Sequence, residues 1–370
     1  MKIIGIAGVL AQALQTAKRG SACSSTLPIL HDVLLQASDD SLQMTCTDLR
    51  ASVSVREAVT VLAPGAVAVR ATMLLKLLRS FPRRASVTLS VGRGSYERDW
   101  LTITHGPVRF ALPSQEDADE FPALPDISQG EEMCFPPGVL AALVSRTSYA
   151  MSDDESRCML CGISVERSVS GGTVMVANDS HRLAAARCAV PGPETPFIIP
   201  ATTVRLLPAK KDCPATLQSA DIHGTRWIAV ACGNVTVVSR TVEGTYPAWR
   251  RVMPAEKSIR WTVNPQLWLA ALRRALLVTG DSRKVVHKVD GSALTLTAEG
   301  GEYEQYSETI PLKHAYEPHE VAFNAEYLIP ILTRTLHGTV LLYQNQPTTT
   351  VQIDDGSEHW ANIVMPMSLV

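Results

Sequence analysis

No segment of this 370-residue chain approaches the ~18 uninterrupted apolar residues a membrane span requires, so no membrane partner is expected. The sequence also lacks runs of like charge and low-complexity tracts. With 46% apolar and 19% charged residues, a soluble globular protein is expected rather than a disordered or fibrous one. GxSxG, HExxH and a phosphate-cradling glycine loop are all missing, which removes the usual supports for hydrolytic and nucleotide-driven chemistry. CxxC spacing occurs once, in "CMLC" (Cys158 to Cys161), without the second pair or HxxxH of a four-ligand zinc site. A structural reading is therefore preferred, and no metal or cofactor is expected. The net charge of -2 exerts no overall pull toward nucleic acid.

The length points to two or three domains. Eight cysteines lie scattered at 23, 46, 134, 158, 161, 188, 213 and 232, several within apolar runs, the pattern of free thiols in a cytoplasmic protein. Lys2, the apolar Ile3 to Leu10 stretch and Ala11-Gln12-Ala13 imitate a secretory signal. Gly5 and Gly8 break that core, which favours a strand over Lys2 to Ile6 followed by an amphipathic helix over Val9 to Lys18.

Three landmarks recur along the chain. An alternating strand ending in a polar turn appears as "LQMTCTDLRASVSV", "GTVMVANDSHRLAAARC" and "ALTLTAEGGEYEQYSETI", with Asp48, Asp179 and Glu299 at 131- and 120-residue steps. A short apolar helix follows from Ala71, Ala201 and Asn324. The units close on "EFPALPD", "TYPAWRRVMP" and "ANIVMPMSLV", and open on helical patterns over Val9 to Lys18, Val139 to Tyr149 and Leu267 to Val278. Each repeat reads helix, strands, helix, strands. The expected fold is α+β, repeated three times over 1–125, 126–254 and 255–370, with the helices packed on one face of the sheets.

Six candidate helices (8–20, 71–84, 136–152, 200–212, 264–279, 324–337) hold Lys18, Arg19, Lys76, Arg79, Arg83, Arg84, Arg146, Arg205, Lys210, Lys211, Arg273, Arg274 and Arg334 against only Asp212 and Glu326. That is +11 in a chain whose total is -2. Basic helix faces are ordinary, but the near-absence of acids tilts the balance toward a polyanion. Asn and Gln are sparse on these segments and aromatic residues do not interleave with the cations. Phosphate contacts without sequence preference are the expectation, and a base-reading regulator is disfavoured.

Asp179, Ser180, His181 and Arg182 suggest an active site, with His181 as a general base oriented by Asp179 and Arg182 holding an anion. The matching turns "CTDLR" and "TAEGG" keep an acid but no histidine. Asp179 is better read as bonding turn amides, and a hydrolase is the weaker alternative.

The segments "TLPIL", "TDL", "ANDSHRLA", "YPAWRRVMP", "FNAEYL", "VQIDD" and "VMPMSL", in this order and spacing, resemble the bacterial DNA polymerase III beta subunit, the sliding clamp, over essentially the whole chain. The resemblance implies a head-to-tail homodimeric ring of six domains in the cytoplasm, with helices lining a channel for duplex DNA. It implies no catalysis, and partners that include the polymerase III alpha subunit, the clamp loader and other proteins with clamp-binding peptides. Its peptide pocket would comprise Leu160, Asn178, Ser180, His181, Arg182, Leu183, Pro247, Arg251, Val252, Asn324, Tyr327, Ile363, Val364, Met365, Pro366 and Met367. Flexible methionines and aliphatic walls suit Leu and Phe anchors of varied shape. Its subunit interface would pair Phe110 and Leu112 with Leu277 and Val278.

The sequence departs from that pattern where Ser24 replaces a common arginine, and where Asp153, Asp154, Cys158 and Met159 replace a glutamine and a tyrosine pair near DNA. Further departures are Asn178 for threonine, Ser180 for glycine, and Ser368 with an added Val370 at the end. A divergent clamp, such as a second chromosomal copy or one carried by a mobile element, with altered partner or inhibitor preference is the alternative these departures raise.

Overall fold

A computed structural model describes all residues except 23, 94–98, 115–116, 209, 255–258, 302–303, 336–337, 345–348 and 370, so Cys23 and Val370 lie outside the described residues. The chain folds into two compact units. One joins Met1–Val139 to Arg205–Thr241, and the other joins Leu140–Val204 to Val242–Val370.

In the first unit an eight-stranded antiparallel sheet runs in the order Glu131–Phe135, Ala215–Ile222, Thr225–Cys232, Val235–Arg240, Ala51–Ala58, Ser41–Thr47, Asp32–Ser38, Gly65–Arg70. A five-stranded sheet adds Thr60–Ala63, Lys2–Ile6, Ser86–Arg93, Asp99–His105 and Val108–Pro113. The second unit has its own eight-stranded sheet, ordered Phe197–Pro200, Gly162–Arg167, Gly172–Asn178, Arg182–Pro191, Trp360–Val364, Val351–Asp354, Val340–Tyr343, Ile259–Val263. A long pair, Lys284–Gly300 with Glu304–Asn324, completes it. Two edge pairings explain why two units arise from three repeats. Val235–Arg240 pairs with Ala51–Ala58, and Arg182–Pro191 pairs with Trp360–Val364, so each large sheet draws strands from two successive repeats.

Six α-helices occur among the described residues: α1 (Ala7–Ala17), α2 (Ala71–Ser80), α3 (Val139–Thr147), α4 (Ala201–Val204), α5 (Pro265–Ala275) and α6 (Ala325–Leu332). The order strand, helix, strands, helix, strands recurs in every repeat. Lys2–Ile6 is a strand and α1 follows it, as the non-signal reading expects. Gly8 serves close approach rather than helix breaking, because a Cβ there would lie 2.5 Å from the Arg83 carbonyl oxygen. α5 starts where Asn264 Oδ1 accepts the Gln266 and Leu267 amides at 2.9 and 3.2 Å, with Pro265 at the first position.

Two sequence expectations fail here. The 200–212 helix is only one turn, because Pro208 has no amide for the Val204 carbonyl and its ring would crowd that group. Arg205, Lys210 and Lys211 therefore stand beyond α4. In the third repeat, Glu299 does not open a turn. It sits within the Lys284–Gly300 strand opposite Gln305.

The third repeat buries an aromatic cluster of Trp261, Trp268, His287 and Phe323. Trp268 Nε1 donates to His287 Nε2 at 3.0 Å, so the ring proton resides on Nδ1, which donates to the Val285 carbonyl at 3.1 Å. Burial pushes the His287 pKa down to about 3. The unfolded chain takes up this proton near pH 6.5 and the folded chain does not, so stability falls as pH drops from about 6.5 toward 3. The expected slope is at most ~1.4 kcal/mol per pH unit from this group. Denaturant titrations of wild type and His287→Gln between pH 7 and 4 check this, since the wild type should show the steeper loss.

Candidate functional site

The "ANDSHRLA" segment forms the tip of a hairpin between Gly172–Asn178 and Arg182–Pro191. Asn178 Oδ1 accepts the Ser180 amide at 2.8 Å, and Asp179 Oδ1 accepts the His181 and Arg182 amides at 2.9 and 2.8 Å. Asp179 Oδ2 meets Arg182 Nε at 2.8 Å, with both side chains mostly buried. Ser180 takes φ +76°, a left-handed backbone that favours glycine. Asp179 and His181 are thus turn residues rather than neighbours on one strand face. The carboxylate is committed to amides and Arg182, and the His181 ring stacks on Tyr327 at 5.8 Å.

The first repeat builds the same turn. Asp48 Oδ1 accepts the Arg50 and Ala51 amides at 2.9 and 2.7 Å, and Leu49 has φ +73°. The acid is therefore a fold determinant used twice. Asp48→Ala is expected to cost about 1 kcal/mol and Asp179→Ala about 2 to 3, because the latter also strands Arg182. Urea unfolding of the two variants reads the difference.

The C-terminal segment runs beside this tip. Arg182 and Leu183 pair with Val364 and Ile363, after which the Met365 amide donates to the His181 carbonyl at 2.8 Å and the Met367 amide to the Ala322 carbonyl at 2.8 Å. Leu183 and Ile363 belong to a buried cluster with Val174, Val176, Ala185 and Trp249, against which Tyr246 and Met253 pack. Above this floor Met365 is exposed, Pro366 and Met367 are half-buried, and Leu160 is buried. Asn324 caps α6 by accepting the Glu326 amide at 2.9 Å, and Tyr327 follows one turn in. Pro247, Arg251 and Val252 are exposed, the latter two on the short 3₁₀ turn Trp249–Val252.

Three residues that the motif reading omitted organise this edge. Tyr149 is sandwiched by Arg334 and Arg182, whose guanidinium carbons lie 4.9 and 5.8 Å from its ring, and Arg182 also lies 4.9 Å from the Tyr327 ring. The Tyr149 hydroxyl donates to Asn362 Oδ1, and burial pushes its pKa well up. Arg157 is the third. Its Nε donates to Asp154 Oδ2 at 3.0 Å and its Nη1 to Ser180 Oγ at 2.7 Å. Asp154 also accepts from Ser156 Oγ at 2.6 Å and from the Ser156 amide, and these bonds with Arg157 hold its carboxyl below the usual carboxylate range. Two sequence departures, Asp154 and Ser180, are therefore joined by one arginine.

The basic residues divide by engagement. In the first unit Arg19, Lys76, Arg79, Arg83, Arg84, Arg205, Lys210 and Lys211 are exposed and Lys18 is half-exposed. Arg19 Nη2 donates to the Arg205 carbonyl, Arg79 Nη2 to Gln15 at 2.6 Å and Lys210 Nζ to Asn234 at 2.7 Å. In the second unit Arg273 is exposed, whereas Arg274 is held by Glu308 at 2.6 and 2.8 Å. Arg146 is largely buried, 3.5 Å from Asp355 and over the Trp360 ring at 5.2 Å, so it braces its own unit.

The four interface candidates differ as well. Leu277 is 85% exposed and Val278 half-buried, Phe110 packs edge-on against Phe81 at 5.8 Å, and Leu112 is buried opposite Leu101 in its own sheet. Of the cysteines, only Cys46 and Cys232 are buried among the described residues, fewer than the apolar runs suggest. Cys161 donates to the Asp154 carbonyl at 3.1 Å, and no metal-ligand cluster occurs among the described residues. No helix among the described residues is long and apolar enough to cross a membrane.

A repeated α+β chain whose hairpin tip, C-terminal segment and α6 frame an apolar edge, with Asp179 committed to turn amides and Arg182 and His181 stacked on Tyr327, has the make-up of a binding protein. The chain belongs to the DNA polymerase III beta subunit family, matching its N-terminal domain over residues 1–125, its central domain over 135–248 and its C-terminal domain over 250–368. It is 30% identical over 356 residues to the beta sliding clamp of Escherichia coli K12, with 93% of each chain covered. To the Caulobacter vibrioides beta sliding clamp it is 29% identical over 315 residues, covering 83% of each. A crystal structure of the C. crescentus beta sliding clamp superposes over 100% of both chains with a TM-score of 0.88 at 26% identity.

Proposed function

We propose that this protein is a DNA sliding clamp, a non-catalytic processivity factor that tethers a DNA polymerase to duplex DNA. Two copies join head to tail through the Leu277 and Val278 edge of one and the Phe110 edge of the other, with Leu112 supporting Phe110 from within its sheet. Domains 1–125, 126–254 and 255–370 then make a six-domain ring in the cytoplasm. Lys18, Arg19, Lys76, Arg79, Arg83, Arg205, Lys210, Lys211 and Arg273 supply phosphate contacts without sequence preference, and Arg146 and Arg274 contribute less because Asp355 and Glu308 offset their charge. The polymerase III alpha subunit, the clamp loader and other clamp-binding proteins insert a short peptide along the hairpin tip. Leu183, Ile363, Val364 and Leu160 form its apolar support, Met365, Pro366 and Met367 one wall, and His181, Arg182, Tyr327 and Asn324 the other, with Asn178, Ser180, Pro247, Arg251 and Val252 at the rim.

The observation that carries this reading is the tail pairing. The Met365 amide on the His181 carbonyl welds two wall segments, distant in sequence, into one docking edge. A loaded ring stays on nicked circular DNA in high salt and slides off once the circle is cut. Equal retention on circular and linear DNA would overturn the proposal.

The Arg157–Ser180 bond favours the second reading, a clamp with altered peptide preference, because it fastens a guanidinium over the turn where a glycine would leave open space. Ser180→Gly is expected to relieve about 1 kcal/mol of left-handed backbone strain and to shift affinity toward peptides bound by ordinary clamps. Titration of one standard clamp-binding peptide against both forms checks this, and unchanged affinity counts against altered preference.

A further inference from the structure

Cys213 and Cys232 stand apart from the peptide edge, in the first unit, and neither is used by anything described above. Their Sγ atoms lie 2.6 Å apart, closer than two unbonded sulfur atoms normally rest. Strand pairing sets up this approach: Ala215 is opposite Cys232 in the ladder between Ala215–Ile222 and Thr225–Cys232, and Cys213 lies two residues before that ladder begins. A disulfide bond needs about half an ångström of further closure. The surroundings are basic and polar. Lys210 Nζ donates to Asn234 at 2.7 Å, and Asn234 donates to Glu57 at 2.6 Å. Cys213 follows directly on Lys210, Lys211 and Asp212, at the end of the segment that carries the unit's second set of exposed cations.

We propose that Cys213 and Cys232 form a reversible intramolecular disulfide on exposure to a peroxide, pinning the end of the basic segment 205–212 to the Thr225–Cys232 strand. Cys213 is half-exposed and meets the oxidant, whereas Cys232 is buried and serves as the resolving thiol. The Cys213 sulfur attacks one peroxide oxygen. An S–O bond forms, the O–O bond breaks, and the departing oxygen takes up the Cys213 thiol proton and leaves as water. The Cys232 sulfur then attacks the sulfenic sulfur, forming S–S and breaking S–O, and the leaving hydroxide takes the Cys232 proton as a second water. Two thiols thereby lose two electrons and two protons, and the peroxide is reduced to two waters. Burial pushes the Cys232 thiol up to about 11, in keeping with a partner that waits protonated until its neighbour is oxidised.

The test treats the reduced full-length protein with equimolar hydrogen peroxide, alkylates the remaining thiols and maps the peptides by mass spectrometry. Expected are one linked pair containing Cys213 and Cys232, its reversal by dithiothreitol, and its loss in both Cys213→Ser and Cys232→Ser. Trypsin cleavage after Lys210 and Lys211 should slow severalfold in the oxidised wild type, and not in Cys213→Ser treated identically. The proposal is overturned if both thiols are still alkylated in the wild type. It is equally overturned if Cys213 goes on to sulfinic acid with Cys232 still free, or if either cysteine links to another position.

Discussion

Arg182→Ala is expected to destabilise the second unit by about 3 kcal/mol and to weaken peptide binding at least tenfold. The guanidinium holds Asp179 at 2.8 Å with both side chains more than four-fifths buried, so its removal leaves a carboxylate in low-dielectric surroundings with only turn amides as partners. The same group lies over the rings of Tyr149 and Tyr327. Losing it unstacks the column that sets Tyr327 against His181, and the wall of the docking edge shifts. Arg182→Lys separates the two losses. A point charge partly preserves the pair with Asp179, but it lacks the planar fork that stacks between two tyrosines. Lysine should therefore recover more stability than peptide affinity. Chemical denaturation together with a fluorescence-anisotropy titration measures both, and full recovery of affinity in the lysine form would show that stacking is immaterial.

Ending the chain after Val364 is expected to leave a folded protein and to reduce peptide affinity by about 100-fold or more, a loss of roughly 2.7 kcal/mol. The core residues Ile363 and Val364 stay in place, paired with Leu183 and Arg182, so the large sheet keeps its strand. What is removed is the segment whose Met365 and Met367 amides bond the His181 and Ala322 carbonyls, and with it the two methionines of one wall. Dimer formation should survive, because it does not draw on this edge, whereas loading onto circular DNA should fall with peptide affinity, because the clamp loader docks on the same wall. Wild-type affinity in the truncated chain would place the peptide elsewhere.

The sequence announces what depends on neighbours a few residues away. Lys2 to Ile6 reads as a strand and is one, and Asn264-Pro265 marks the start of α5. Asp179 reads as an acid that bonds turn amides, and its twin Asp48 does the same 131 residues earlier. What fails is set locally by one residue or over long distances by many. Pro208 shortens α4 to a turn, which moves three cations off the helix that their spacing suggests. Glu299 matches the two turn acids by position, yet it is still strand, paired with Gln305 one residue before the strand ends at Gly300. Phe110 and Leu112 share one face of their strand, and only tertiary packing leaves Phe110 half-buried beside Phe81 while Leu112 is buried opposite Leu101. Tyr149, Arg157 and Arg334 matter through partners up to 213 residues distant, such as Asn362 opposite Tyr149. No motif of contiguous residues encodes such a contact.

The sum of helix charge was informative in sign and misleading in detail. Thirteen cations against two acids pointed to a polyanion, but Arg146 is occupied by Asp355 and Trp360, and Arg274 by Glu308. Amphipathic helices place arginines at their edges, where they meet acids of neighbouring strands as readily as solvent.

The account rests most heavily on ring closure by two chains, and sedimentation of the full-length protein at micromolar concentration tests it most directly. A single species at twice the 40.0 kDa chain mass is expected, shifting toward monomer when Leu277 is replaced by aspartate. A wild-type monomer at high micromolar concentration would contradict it.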